Sequence, residues 1–148
     1  MYLFDTSAWL NIESRPDCED VWAVIISLIK KGELYSCSEV LDELRSDRIY
    51  LLRIKPHEKA LRDCDRNDVA FLQHVGKITH DYPGMCKATG PKTPADPYVV
   101  ALAELEGFIV VADETNRRRP NRKIPGVCEQ QKIKCITLSQ FIIAKGKK

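Results

Sequence analysis

Five carboxylates stand where apolar segments end or helices run: Asp5, Glu43, Asp96, Asp113 and Glu114. Asp5 follows the short run Tyr2-Leu3-Phe4, and Asp113-Glu114 follows Phe108-Ile109-Val110-Val111. Apolar runs of this length, stopped by polar residues, read as buried strands, so these acids fall at strand carboxyl ends. Glu43 lies inside the helical pattern Val40-Leu41-Asp42-Glu43-Leu44, and Asp96 precedes Pro97 at the start of an Ala- and Val-rich helix. Carboxylates converging on one edge repel each other, and a hard divalent cation with oxygen ligands is the usual neutraliser. Magnesium or manganese held this way activates a bound water and stabilises charge on a phosphodiester in flight. The expected chemistry is hydrolysis of nucleic acid.

Each acid taken singly also fits an ordinary structural place. Asp5 suits a turn cap, Glu43 a helical surface charge, Asp96 an N-cap, and Asp113 or Glu114 a solvated strand end. Other catalytic constellations are weaker. His57, His74 and His80 lack ligand spacing and read as surface or helix-packing residues. There is no Gly-rich phosphate loop and no Gly-x-Ser-x-Gly, which argues against nucleoside-triphosphate chemistry and serine hydrolysis. An aspartyl-phosphate enzyme would want a second Asp two places after Asp5, and Ser7 stands there.

The elements that must position these acids alternate between strand and helix. After the first strand come a short helix over 8–12, a longer one over 19–31 ended by Gly32, and a weak strand at Leu34-Tyr35. Ser36-x-x-Glu39 has the form of a capping box for the helix that carries Glu43. Residues 46–82 read as two helices broken at Pro56 and around 63–67, and residues 83–94, rich in Pro and Gly, read as a surface loop. Asp96 as N-cap with Pro97 at the first helical position opens the next helix, with Val99, Val100, Leu102 and Ala103 facing the core. Gly107 ends it before the strand at 108–111. A short helix at 125–131, a strand at 133–136 and a terminal helix at 138–144 complete the chain. This alternation predicts a three-layer α/β/α domain around a mostly parallel central sheet, a single domain over residues 1–148. In such sheets ligands gather at the carboxyl ends of the strands, where these acids fall.

Composition narrows the setting. With 148 residues, 44% hydrophobic and 30% charged, the chain can bury one core and has no apolar run long enough to span a bilayer. Its opening residues lack the basic and apolar pattern of an export signal, so a cytoplasmic location is expected. The six cysteines are scattered without a Cys-x-x-Cys pair and read as buried or free thiols. Trp9 and Trp22 lie on apolar helical patterns and read as core. A net charge of +2 conceals an asymmetry: residues 1–110 carry 13 Lys and Arg against 18 Asp and Glu, whereas residues 111–148 carry 10 against 3. Five of those cations, Arg117, Arg118, Arg119, Arg122 and Lys123, form a solvated basic loop suited to phosphate contact.

The ordered set of strand-Asp5-Thr6-Ser7, helical Glu43, Ala95-Asp96-Pro97-Tyr98 and Val110-Val111-Ala112-Asp113-Glu114 resembles the PIN domains over nearly the whole chain. More narrowly, Lys123-Ile124-Pro125-Gly126-Val127-Cys128 and Ile133-Lys134-Cys135-Ile136, with the Ala95-Asp96-Pro97 start, look like a bacterial and archaeal PIN-like subfamily of undefined function. The resemblance implies a metal-dependent endoribonuclease that binds magnesium or manganese, most often the toxin of a toxin–antitoxin pair like the VapC-type toxins. It implies RNA as substrate and a cognate antitoxin as partner, and it leaves room for a homodimer. By the resemblance, Asp5, Glu43 and Asp96 match the first three acids, and Thr6 or Ser7 the hydroxyl that supports the first. The family usually shows Thr-x-Asp or Thr-x-Glu after the later strand. Here Ala112 replaces the Thr, so the spacing selects Glu114 as the fourth acid, with Asp113 its rival. Since neighbouring side chains alternate along an extended chain, only one of the two can point inward. The departure at Ala112 keeps a different class open: a catalytically inactive PIN-like module that binds RNA or protein.

Overall fold

The computed structural model describes residues 1–86, 94–114 and 122–146. The central strand β1 (Tyr2–Phe4) is flanked by β2 (Leu34–Tyr35) on one side and β3 (Ile109–Val111) on the other, with β4 (Cys135–Ile136) beyond β3. Every pairing is parallel, with Phe4 opposite Val111 and Val111 opposite Ile136. Parallel neighbours need crossovers, and helices supply them. The fold is α/β, three layers deep around an all-parallel sheet.

Two helices, α1 (Thr6–Ile12) and α2 (Cys18–Lys30), carry the chain from β1 to β2. Both pack against each other and against the terminal helix α8 (Leu138–Gly146). Tyr2 and Phe4 point to that layer, where each meets Phe141 edge-on at about 5 Å between ring centroids. Phe4 also packs on Trp9, which stacks on Trp22, and both tryptophans are buried. From β2 the chain passes through α3 (Ser38–Leu44), a π turn at Tyr50–Ile54, α4 (Glu58–Leu61), α5 (Val69–Asp81) and α6 (Asp96–Glu106) before β3. Helix α7 (Ile124–Gln130) then joins β3 to β4. Helices α5, α6 and α7 form the second layer, α6 lying between the other two and against β3. Gly107 adopts φ +70°, the left-handed conformation that stops α6 and turns the chain into β3. Among the described residues, no helix is long and apolar enough to cross a membrane.

Several local expectations change. The capping box does not form: Ser36 is fully buried, its hydroxyl donating to the Phe4 carbonyl (2.9 Å) and accepting from the Trp9 indole N–H (3.2 Å). Helix α3 instead starts at Ser38 with Cys37 at the N-cap position, one residue later, and Asp65 accepts from the Ser38 N–H at 3.0 Å. A buried strand end with two polar neighbours outcompetes a surface cap for the same hydroxyl. Of the two breaks expected in 46–82, the one around 63–67 is present, between a 3-10 turn at Arg62–Cys64 and α5, whereas Pro56 lies in a 3-10 turn that carries the π turn on into the short α4. Of the loop expected over 83–94, Pro83–Cys86 is a 3-10 turn with Met85 buried, and residues 87–93 lie outside the described residues. None of the six cysteines forms a disulfide; Cys37 and Cys128 are buried and the others partly so.

Removing the Ser36 hydroxyl leaves the Phe4 carbonyl and the Trp9 indole without this partner. Ser36→Ala is therefore expected to lower unfolding free energy by about 1–3 kcal/mol, against less than about 0.5 kcal/mol for Glu39→Gln, in urea denaturation. Equal losses for both variants would restore the capping box.

Candidate functional site

The sheet order places a reversal between β1 and β3. From β1 the chain moves outward to β2, and from β3 it moves outward the other way to β4, so the crossovers diverge at the carboxyl ends of these two strands, the place where open parallel sheets bind ligands. Asp5 follows β1 and Asp113-Glu114 follow β3, joined by the Asp5 N–H donating to the Val111 carbonyl at 3.0 Å. Helices α3 and α6 bring Glu43 and Asp96 to the same place.

Asp5 is almost fully buried and has two jobs. It is the N-cap of α1, its Oδ2 accepting from the Ser7 N–H (3.2 Å) and the Ser7 hydroxyl (2.8 Å). Its Oδ1 is buried with no hydrogen-bond partner. Such an atom is costly to bury, so the cap alone does not explain this residue. Ser7 also accepts from the Asp113 N–H at 2.9 Å, and thus ties the first acid to the segment after β3.

Glu43 is held at both oxygens. Oε2 accepts from the Thr6 hydroxyl (2.5 Å) and Oε1 from the Ala95 N–H (2.9 Å), linking α3 to the start of α1 and α6. Asp96 does not act as an N-cap: Ala95 holds that position and Asp96 is the first helical residue, with no capping bond. Its carboxyl is pushed up from the ordinary 3.8 to about 8, first by burial and then by the charges of Asp5, Glu114 and Glu43, with Lys123 offsetting part. Asp5 is raised to about 6, chiefly by burial, opposed by the Ser7 hydrogen bond and reinforced by Glu114.

The rivalry between the two later acids has a geometric answer. Asp113 turns to α1, where the Asn11 amide donates to its Oδ2 (3.1 Å) and its carbonyl (3.2 Å). Glu114 turns to Asp5 and Asp96, whose ionisation it opposes. Its Oε2 is buried without a hydrogen-bond partner, and its Oε1 lies 3.5 Å from the Lys123 ammonium. The structure therefore gathers Asp5, Glu43, Asp96 and Glu114 and sets Asp113 apart. Asn11 was not singled out from the sequence, though its place four residues after Ser7 puts both on one helix face.

The basic segment divides. Arg117, Arg118 and Arg119 lie outside the described residues, Arg122 is exposed, and Lys123 turns inward to Glu114. The histidines hold ordinary places: His74 pairs with Glu104 at 2.6 Å and His80 with Asp81 at 3.2 Å. Among the described residues, no three His, Cys, Asp or Glu side chains stand as a ready ligand set for one metal ion. Two observations nevertheless suit a hard cation: the unpartnered buried oxygens of Asp5 and Glu114, and an all-carboxylate donor set. Magnesium usually keeps several waters and takes only one or two carboxylates directly, so the acids need not converge as closely as a closed ligand cage.

The chain belongs to the family described as Domain of unknown function (DUF4411), whose model matches residues 2–148. No curated protein matches it.

Raised carboxyl values make a signed prediction. The folded metal-free chain binds more protons than the unfolded chain between about pH 4 and 8, so stability from these groups is lost as pH rises through that window. Asp96→Asn removes the larger share. It is expected to raise the metal-free Tm at pH 8 by at least about 2–4 °C, the shift 1 kcal/mol gives a chain of this size, and to flatten the fall above pH 6. Scanning calorimetry across pH checks this; an unchanged or lower Tm at pH 8 contradicts it.

Proposed function

We propose that the protein is a metal-dependent endoribonuclease of PIN type. The observation that carries this reading is the pair of buried, unpartnered carboxylate oxygens, Asp5 Oδ1 and Glu114 Oε2, in a group of four acids at the sheet's reversal point. Asp5, Asp96 and Glu114 are the residues that would hold magnesium or manganese. When bound, the ion supplies a charge that lowers the pKa of water and offsets negative charge on a phosphodiester.

The chain's own residues do the positioning. Ser7 fixes Asp5 through its hydroxyl and backbone N–H, leaving Oδ1 for the ligand. Glu43, occupied at both oxygens, locks the amino ends of α1 and α6 so that Asp5 and Asp96 keep their separation. Asn11 and Ser7 hold residue 113 so that Glu114 turns inward. In the overall reaction one water adds to phosphorus and the bridging P–O bond to a ribose oxygen breaks. One fragment keeps a phosphate monoester and the other a hydroxyl. Arg117, Arg118, Arg119 and Arg122 carry the phosphate contacts in this reading, which suits their dense positive charge.

The proposed setting is cytoplasmic, as the toxin of a toxin–antitoxin pair, with a cognate antitoxin as partner; this part rests on the PIN resemblance. A second reading, an inactive PIN-like module that binds RNA or protein, draws on Glu43, which has no oxygen to spare, and on the lack of a ready three-residue ligand set among the described residues.

Purified protein with mixed single-stranded RNA tests both. The expected result is cleavage with Mn2+ or Mg2+, none with a chelator, and a loss of more than about 100-fold in Asp5→Asn, which remains folded by circular dichroism. Cleavage that survives Asp5→Asn overturns the nuclease reading. Salt-sensitive RNA binding that ignores metal, with no cleavage, establishes the binding module. Growth arrest on expression, relieved by Asp5→Asn, is the outcome expected of a toxin.

A further inference from the structure

Among the described residues, Lys123 of the sequence's basic segment turns toward the four gathered acids. Lys123 sits at the N-cap position of α7 in extended conformation and makes no capping hydrogen bond with its side chain. Its Nζ lies 3.5 Å from Glu114 Oε1, and its charge is felt by Asp96 as well. Glu114 is mostly covered while the Lys123 side chain is 42% exposed, so the ammonium lies on the solvent side of Glu114.

Charge arithmetic gives this lysine a consequence. Glu43 is occupied at both oxygens, so Asp5, Asp96 and Glu114 are the acids left for a cation, and once ionised they carry three negative charges, more than one divalent ion neutralises. An ammonium fixed beside two of them supplies part of the balancing positive charge itself, without exchange and without geometry demands beyond its three donors. A second divalent ion at Glu114 would have to approach the ammonium closely, and like charges at such range oppose each other.

We infer that Lys123 takes the place of a second metal ion, so that the site binds a single divalent cation, held toward Asp5 Oδ1. Lys123 is then a positioning residue for the acid group. This inference rests on the metal-site reading above and deepens it.

The test is the number of Mn2+ ions bound per chain, counted by electron paramagnetic resonance of free Mn2+ and by calorimetry on the metal-free protein, with circular dichroism to confirm folding. The expected result is one ion for the wild type, two for Lys123→Met and one for Lys123→Arg, which keeps the charge. One ion in both the wild type and Lys123→Met overturns the role of Lys123 and leaves the metal site standing. Two ions in the wild type also overturn it. No binding by the wild type overturns the metal site and this inference together.

Discussion

Negative charge brought together out of water is the constraint on which this structure turns. Asp96 lies within electrostatic reach of Asp5, Glu114 and Glu43, and burial strips away much of the solvent that would screen them. Such groups tend to spread apart or take up protons, and Asp96, raised to about 8, answers the crowding by holding its proton near neutral pH. Asp5, Glu43 and Glu114 are kept in place from outside the group: Asp5 by Ser7, Glu43 by Thr6 and the Ala95 N–H, and Glu114 through a neighbour pinned by Asn11. A fold that invests this many hydrogen bonds in keeping like charges close stores electrostatic strain that a cation would relieve. Strain of this kind is characteristic of functional sites and runs against stability.

The anchors depend on the scaffold beneath. Phe4, Trp9 and Trp22 interlock under α1, and Ser36 fastens the end of β2 to both Phe4 and Trp9. The start of α1, with Asp5, Thr6 and Ser7, is therefore rigid from below. On the other side α6 rests on β3 and ends sharply at Gly107, which sets where Asp96 stands relative to the strand that leads to Glu114. The reversal of crossover direction between β1 and β3 does the rest, since it sends the two connections to opposite sides from the point where their carboxyl ends meet.

Much of this is legible in the residues. Apolar runs stopped by acids mark β1 and β3, and their parallel pairing follows from the helices between them. What periodicity cannot decide is which of two polar jobs a side chain takes. Ser36 satisfies the pattern of a capping box, but burial at a strand end commits its hydroxyl to Trp9 and Phe4. Asp96 beside Pro97 reads as an N-cap, yet its carboxyl belongs to the acid group and Ala95 takes the cap position. Alternation along a strand limits Asp113 and Glu114 to one inward acid without saying which; the Asn11 amide, contributed by a distant helix, decides it. Lys123 counts in the sequence as one more basic loop residue, and only the path of α7 turns it toward Glu114. In each case the missing information is a long-range contact.

The most direct test of the account is a carboxyl-detected NMR titration of the protein with and without Mg2+. The account predicts that, in the metal-free protein, one carboxyl titrates near pH 8 and another near pH 6, assigned to Asp96 and Asp5 by their Asn variants, and that Mg2+ drives both well down. Carboxyls that all titrate in the ordinary range near pH 4, indifferent to Mg2+, would contradict the claim that these acids form one strained, cation-seeking group.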